Sequence, residues 1–177
     1  MTAAPVVGAG TTDTAAFESD GWKVCAARVR GPSHETAGEP CQDAFAVRAA
    51  DGVLVAVVAD GAGSAPCAAD GAALGARAVV EALTAADLPD LGAGAARDTI
   101  AGAVGAARAA VLDQPAPEAE AAMTEGARLA RYHATLVGAV SNGRHAWLFH
   151  IGDGVGAAFT GEAWEGATRP KLAWGDA

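Results

Sequence analysis

The most pronounced feature of the hydrophobic pattern is Val53-Leu54-Val55-Ala56-Val57-Val58-Ala59. This apolar run is closed by Asp60-Gly61-Ala62-Gly63-Ser64. A valine-rich run of this length, bounded by glycines, predicts a strand buried on both faces. Asp60 then sits where a core strand leaves its sheet. An ionised carboxylate there is costly to desolvate unless it meets a cation or several donors. The alternative is a turn Asp that caps a helix starting near Ala65. Upstream, Ala44 to Val47 predicts a short strand, and Asp51-Gly52 between the two runs is a tight hairpin signal. Antiparallel pairing through that turn sets Asp43, where the first strand starts, beside Asp60, where the second ends. Two carboxylates at one sheet edge repel unless something positive lies between them.

The remaining pattern predicts strands at both ends of the chain and helices between them. Residues 1–20 carry no clear period and read as a loose lead-in; residues 21–177 read as one domain. Trp22 to Val29 alternates and predicts a strand. Gly31 to Pro40 reads as a loop by its Gly and Pro content. Ser64 as N-cap and Pro66 in the first turn open a helix that runs to about Leu83. A second helix covers Ala93 to Leu112, with Ile100, Val104, Ala107 and Val111 on one stripe. A weaker helical stretch spans about Glu118 to Arg131. Then Ala134–Val140, the Asn142-Gly143 turn, His145–Ile151, Gly152-Asp153-Gly154 and Val155–Thr160 predict an antiparallel meander. Strands, helices and strands again predict an α+β sandwich of antiparallel sheets flanked by helices.

Composition narrows the function classes. The net charge of −9, from 21 acidic and 12 basic residues, argues against nucleic acid and against an anionic membrane surface. The start of the chain lacks the pattern of a signal peptide, and no segment is apolar over the roughly 18 residues of a membrane span. A soluble, cytoplasmic protein is expected. Cys25, Cys41 and Cys67 are scattered, without the spacing of a zinc knuckle or a disulfide framework, and read as small buried or half-buried thiols.

Asp43, Asp60 and Asp153 each open or close a predicted strand at a polar or glycine-rich junction. Oxygen-rich positions of this kind suit Mg²⁺ or Mn²⁺ better than zinc. Gly61 lets a backbone carbonyl approach an ion without side-chain interference. His34, on the Gly/Pro loop ahead of Asp43, suits phosphate contact or acid catalysis, or is simply a surface loop residue. His133, His145 and His150 read as structural or surface residues. Ser33 lacks the surroundings of a nucleophile elbow.

Taken in order, Gly31-Pro32-Ser33-His34, Cys41-Gln42-Asp43-Ala44, Val58-Ala59-Asp60-Gly61-Ala62-Gly63-Ser64, Ala134-Thr135-Leu136 and Ile151-Gly152-Asp153-Gly154 resemble the ordered motifs of the metal-dependent protein phosphatases of the 2C type. The likeness is greatest to a bacterial subgroup whose second motif reads Asp-Gly-Ala-Gly-Ser, and it runs from about Trp22 to Trp164. The resemblance implies an α-β-β-α sandwich with a two-metal centre at one end. It implies hydrolysis of phosphoserine and phosphothreonine by a water activated between two Mg²⁺ or Mn²⁺ ions. By motif position, Asp43 resembles a ligand of one ion, Asp60 the bridging carboxylate, Gly61 the carbonyl donor, and Asp153 the ligand of a third, weaker ion. Phosphorylated proteins, the targets of a Ser/Thr kinase, are the partners that it implies.

This chain departs from the family pattern at several points. Ala62 stands where many members carry a His, and Gly38 where many carry an Arg. Arg30 or His34 could take over those roles from the loop. Family members also continue with a Ser-Asp-Gly motif and a terminal Asp, whereas this sequence closes on Trp174-Gly175-Asp176-Ala177. The expectation is therefore the N-terminal part of a phosphatase, weakly active or inactive alone. The alternatives are a catalytically dead binding or regulatory module of the same fold, or a metal-binding structural domain.

Overall fold

The computed structural model describes residues 6–8, 12–86, 88, 93–115, 122–159 and 161–165. In chain order the strands are β1 (Val6–Gly8), β2 (Thr12–Ser19), β3 (Trp22–Val29), β4 (Asp43–Ala50), β5 (Val53–Asp60), β6 (Leu136–Ser141), β7 (Ala146–Ile151), β8 (Ala158–Phe159) and β9 (Trp164–Glu165). The helices are α1 (Pro32–Ala37), α2 (Ala68–Ala85), α3 (Ala93–Leu112) and α4 (Glu125–Ala130). An antiparallel five-stranded sheet in the order β1–β4–β5–β6–β7 forms the centre, and β2 pairs with β3 in a separate two-stranded sheet. Helices α2 and α3 pack together, with α2 against one face of the large sheet; the β2–β3 hairpin covers part of the other. This is the mixed α+β sandwich that the motifs imply.

The β4–β5 hairpin forms as its turn dictates. Asp51 and Gly52 both take positive φ, 55° and 78°, the backbone of a two-residue type I′ turn. Strand β5 differs from the expectation of burial on both faces. Val55, Val57 and Ala59 are buried under α2, where Ala72, Ala76, Val79, Val80 and Leu83 bury a helical stripe. On the opposite face Leu54 and Ala56 are half-buried beneath the β2–β3 hairpin, and Val58 is 53% exposed. The hairpin is too small to cover the whole sheet.

Four local expectations are corrected. The supposed lead-in contains β1 and β2: β2 pairs with β3 along its whole length through a turn at Asp20-Gly21, again with two positive φ values, 49° and 83°. The Gly31–Pro40 loop contains α1, with Pro in its first turn and Gly38 at φ 69° as its left-handed cap. Helix α2 starts at Ala68 and not near Ala65 behind a Ser64 cap, because the preceding backbone bonds across to the segment before β6: Ala62 N–H donates to His133 O and Cys67 N–H to Arg131 O. The last strands do not continue the meander, since β8 pairs with β9 in a sheet of their own. Helix α3 matches its expected bounds; α4 is shorter than the helical stretch drawn from residue 118, part of which lies outside the described residues.

Candidate active site

The site grows from the register of one hairpin. Asp43 and Asp60 are direct cross-strand partners, the outermost pair of β4 and β5. Both are exposed at the mouth of two adjoining clefts. One, of about 360 Å³, is lined by Gly31, Ser33, His34, Gln42 and Gly61 besides the pair. The other, of about 420 Å³, adds Thr135, Val137, Asp153 and Val155. Partial burial raises the Asp60 carboxyl above its ordinary value, and the charges of Asp43 and Asp153 raise it further, with His34 opposing them. A carboxylate so disfavoured in its charged form is a place where a cation is welcome.

Gly61 is held by its surroundings. Its N–H donates to Gln42 O at 3.0 Å, and it bridges to Ala134. An added Cβ would lie 2.6 Å from Ala68 O and 2.8 Å from Gln42 O, so only glycine fits. Asp153 stands in the turn after β7, where Gly152 at φ 93° lies against the Thr135 side chain. It joins the pair through its charge on Asp60 and through the second cleft.

His34 is brought to the first cleft by α1. Its Nδ1 lies 3.0 Å from the Pro40 carbonyl oxygen. That oxygen can only accept, so Nδ1 carries the proton and Nε2 is left for exchange. Arg30 is placed differently. It turns back onto its own loop, with Nη1 donating to Glu39 O at 3.4 Å and Nη2 3.6 Å from Glu35 Oε1. It braces the segment that carries His34 and is not among the residues lining either cleft.

Three further residues were not marked by sequence reasoning. Thr135 brackets Asp60: its Oγ1 accepts the Asp60 N–H at 3.2 Å, and its own N–H donates to Asp60 O at 2.7 Å. Its motif was visible in the sequence, but the role was not. Cys41 is buried, with Sγ 3.7 Å from Asp43 Oδ2. Arg28 is buried on β3 and donates to the Asp43 backbone carbonyl; a lone Arg in an alternating strand gave no signal. All three cysteines are free; Cys41 and Cys67 are buried and half-buried as expected, whereas Cys25 is exposed.

The carboxylate pair with its third charge is the arrangement that the ordered motifs imply for this edge of the sheet. Residues 30–173 match the family described as Protein phosphatase 2C, well over half of the 177 residues. The chain belongs to the protein phosphatase 2C family. No curated protein and no solved structure matches it significantly. The phosphatase 2C match takes in α1, β4, β5 and the turn holding Asp153, and so every residue of the candidate site named from sequence. Strand β2 and Arg28 lie ahead of it.

The residues present fit divalent cations. The acceptors are hard oxygens, two of them on adjacent carboxylates whose mutual repulsion a cation relieves. Among the described residues no three His, Cys, Asp or Glu side chains form a ready-made ligand cluster. Backbone carbonyls and water would therefore complete the coordination, as Mg²⁺ commonly requires.

Proposed function

We propose that the protein is a metal-dependent serine/threonine protein phosphatase, acting in the cytoplasm on proteins phosphorylated by a Ser/Thr kinase. The Asp43–Asp60 cross-strand pair, with Asp153 adding its charge, carries this reading. Asp43, Asp60 and the Gly61 carbonyl would hold two Mn²⁺ or Mg²⁺ ions, and Asp153 a weaker third. Bound there, such ions generate a nucleophile from water near neutral pH and neutralise phosphate charge. Thr135 holds the Asp60 backbone from both sides, which keeps that carboxylate at the cleft mouth. His34, with Nδ1–H engaged by Pro40, turns Nε2 to the cleft, where, once protonated, it would give its proton to a leaving alkoxide. Arg30 supports this arm by tying Glu35 and Glu39 together.

The test is hydrolysis of p-nitrophenyl phosphate and of phosphoserine, phosphothreonine and phosphotyrosine peptides, with Mn²⁺ and with chelator. Turnover is expected only with metal, to be abolished by Asp60→Asn, and to favour the phosphoserine and phosphothreonine peptides. Activity that survives chelator or Asp60→Asn removes the two-metal reading. The second reading is a phosphoprotein-binding module of the same fold without turnover. Phosphopeptide binding without hydrolysis in saturating Mn²⁺ would select it.

A further inference from the structure

We propose that Arg28 is a positioning residue for the carboxylate pair, fixing Asp43 at the cleft mouth and thereby setting the affinity of the site for its divalent cation. The inference rests on the phosphatase reading above.

Arg28 is 7% exposed and is the buried charged side chain of the described residues. Burying a guanidinium is costly unless its donors are met and its charge is balanced. Both conditions are fulfilled in a way that connects three strands. Arg28 on β3 lies opposite Asp13 on β2, and Nε donates to Asp13 Oδ2 at 3.0 Å. Nη1 donates to the backbone carbonyl of Asp43, the first residue of β4. One planar fork therefore ties the small sheet to the residue that opens the metal edge of the large sheet. The Asp43 carbonyl and carboxylate hang on the same Cα, so holding the carbonyl sets where that carboxylate starts. The fork also lines the cleft shared by Asp60 and Asp153.

Only an arginine can do this. The guanidinium presents donors in a rigid fork, whereas a lysine offers one flexible ammonium. Lysine keeps the charge but cannot reach Asp13 and the Asp43 carbonyl at once. Groups that orient metal ligands from outside typically change metal affinity about 10- to 100-fold when removed. Arg28 acts on the backbone of a ligand and not on its carboxylate, so the lower end, about tenfold, is expected.

The test is calorimetric titration of the full chain with Mn²⁺, alongside the Mn²⁺ dependence of p-nitrophenyl phosphate hydrolysis, for wild type, Arg28→Lys, Asp13→Asn and Arg48→Lys. Arg48 is the control: a half-buried arginine on β4 at the far end of the sheet, beside Thr84 and Leu88. Arg28→Lys and Asp13→Asn are expected to raise the Mn²⁺ dissociation constant about tenfold, with kcat at saturating Mn²⁺ nearly unchanged. Arg48→Lys leaves both unchanged. If Arg28→Lys does not fold, Asp13→Asn, which removes the charge opposite the guanidinium and leaves Arg28 in place, decides. Unaltered Mn²⁺ affinity in the folded variants, or the same loss in Arg48→Lys, overturns the inference alone. A wild type that binds no Mn²⁺ overturns the phosphatase reading and this inference with it.

Discussion

Asp60→Asn is expected to change the stability of the protein in opposite directions with and without metal. Asn is nearly isosteric, and the backbone bonds between Asp60 and Thr135 are untouched. The substitution removes only the charge. Like charges directly opposite on adjacent strands destabilise by about 0.2–1 kcal/mol, and the pair is exposed, which screens it. Without metal, Asp60→Asn should therefore gain up to about 1 kcal/mol, or about 2–4 °C in Tm for a domain of this size. The sign with pH follows from the shift. The Asp60 carboxyl titrates above its ordinary value of 3.8, so the folded state holds its proton more tightly than the unfolded chain. The wild type keeps its full stability below that ordinary value and loses part of it as pH rises through the raised one. The advantage of the variant accordingly appears as pH climbs through that window and persists at neutrality. With Mn²⁺ at a hundred times its dissociation constant, the wild type gains about 2.7 kcal/mol, which the variant largely forfeits. Scanning fluorimetry in EDTA and in Mn²⁺, from pH 3 to pH 8, reads both limbs. Destabilisation of the variant in EDTA at neutral pH, or equal Mn²⁺ stabilisation of both proteins, would refute the cation-site argument.

Three further outcomes are expected. Thr135→Val removes the acceptor of the Asp60 N–H and should cost about 0.5–1.5 kcal/mol by urea melt, with weaker Mn²⁺ binding by calorimetry. Gly71→Ala drives a methyl into the Tyr132 backbone and should destabilise by about 1–3 kcal/mol, whereas Gly102→Ala, in open space on α3, should stabilise by about 0.5–1 kcal/mol; thermal melts of the pair rank them. Leu83→Ala empties a fully buried position between α2 and the sheet and should cost about 2–5 kcal/mol in the same assay.

What the sequence made legible was local. Asp51-Gly52 announced its hairpin because two residues with positive φ admit few other turns, and the pairing of Asp43 with Asp60 followed by counting. Asp20-Gly21 carried the same signal, yet the strand ahead of it, Thr12–Ser19, has no apolar run and is made a strand by its partner β3. The start of α2 was misplaced because Ser64 and Pro66 look like a helix cap, while the segment is held by carbonyls before β6, far off in sequence. Arg28 was illegible for the same reason: its meaning lies in Asp13 and Asp43, neither its neighbour along the chain. The site residues that the sequence did supply are those that sit at the ends of strands, where the chain itself writes the geometry.

The Asp51-Gly52 turn lies at the opposite end of the hairpin from Asp43 and Asp60, with eight cross-strand pairs between the loop and the edge inclusive. Those pairs count residues as a zip fastener counts teeth. Most substitutions along the way change packing and leave the count alone. An inserted residue at the turn that slips the register by one sets Asp43 and Asp60 against different partners and turns every side chain of the slipped strand to the wrong face. The chemistry at one edge is thus vulnerable to a change of length at the other, far more than to a change of residue, and a scan of insertions and substitutions at the turn should show that asymmetry.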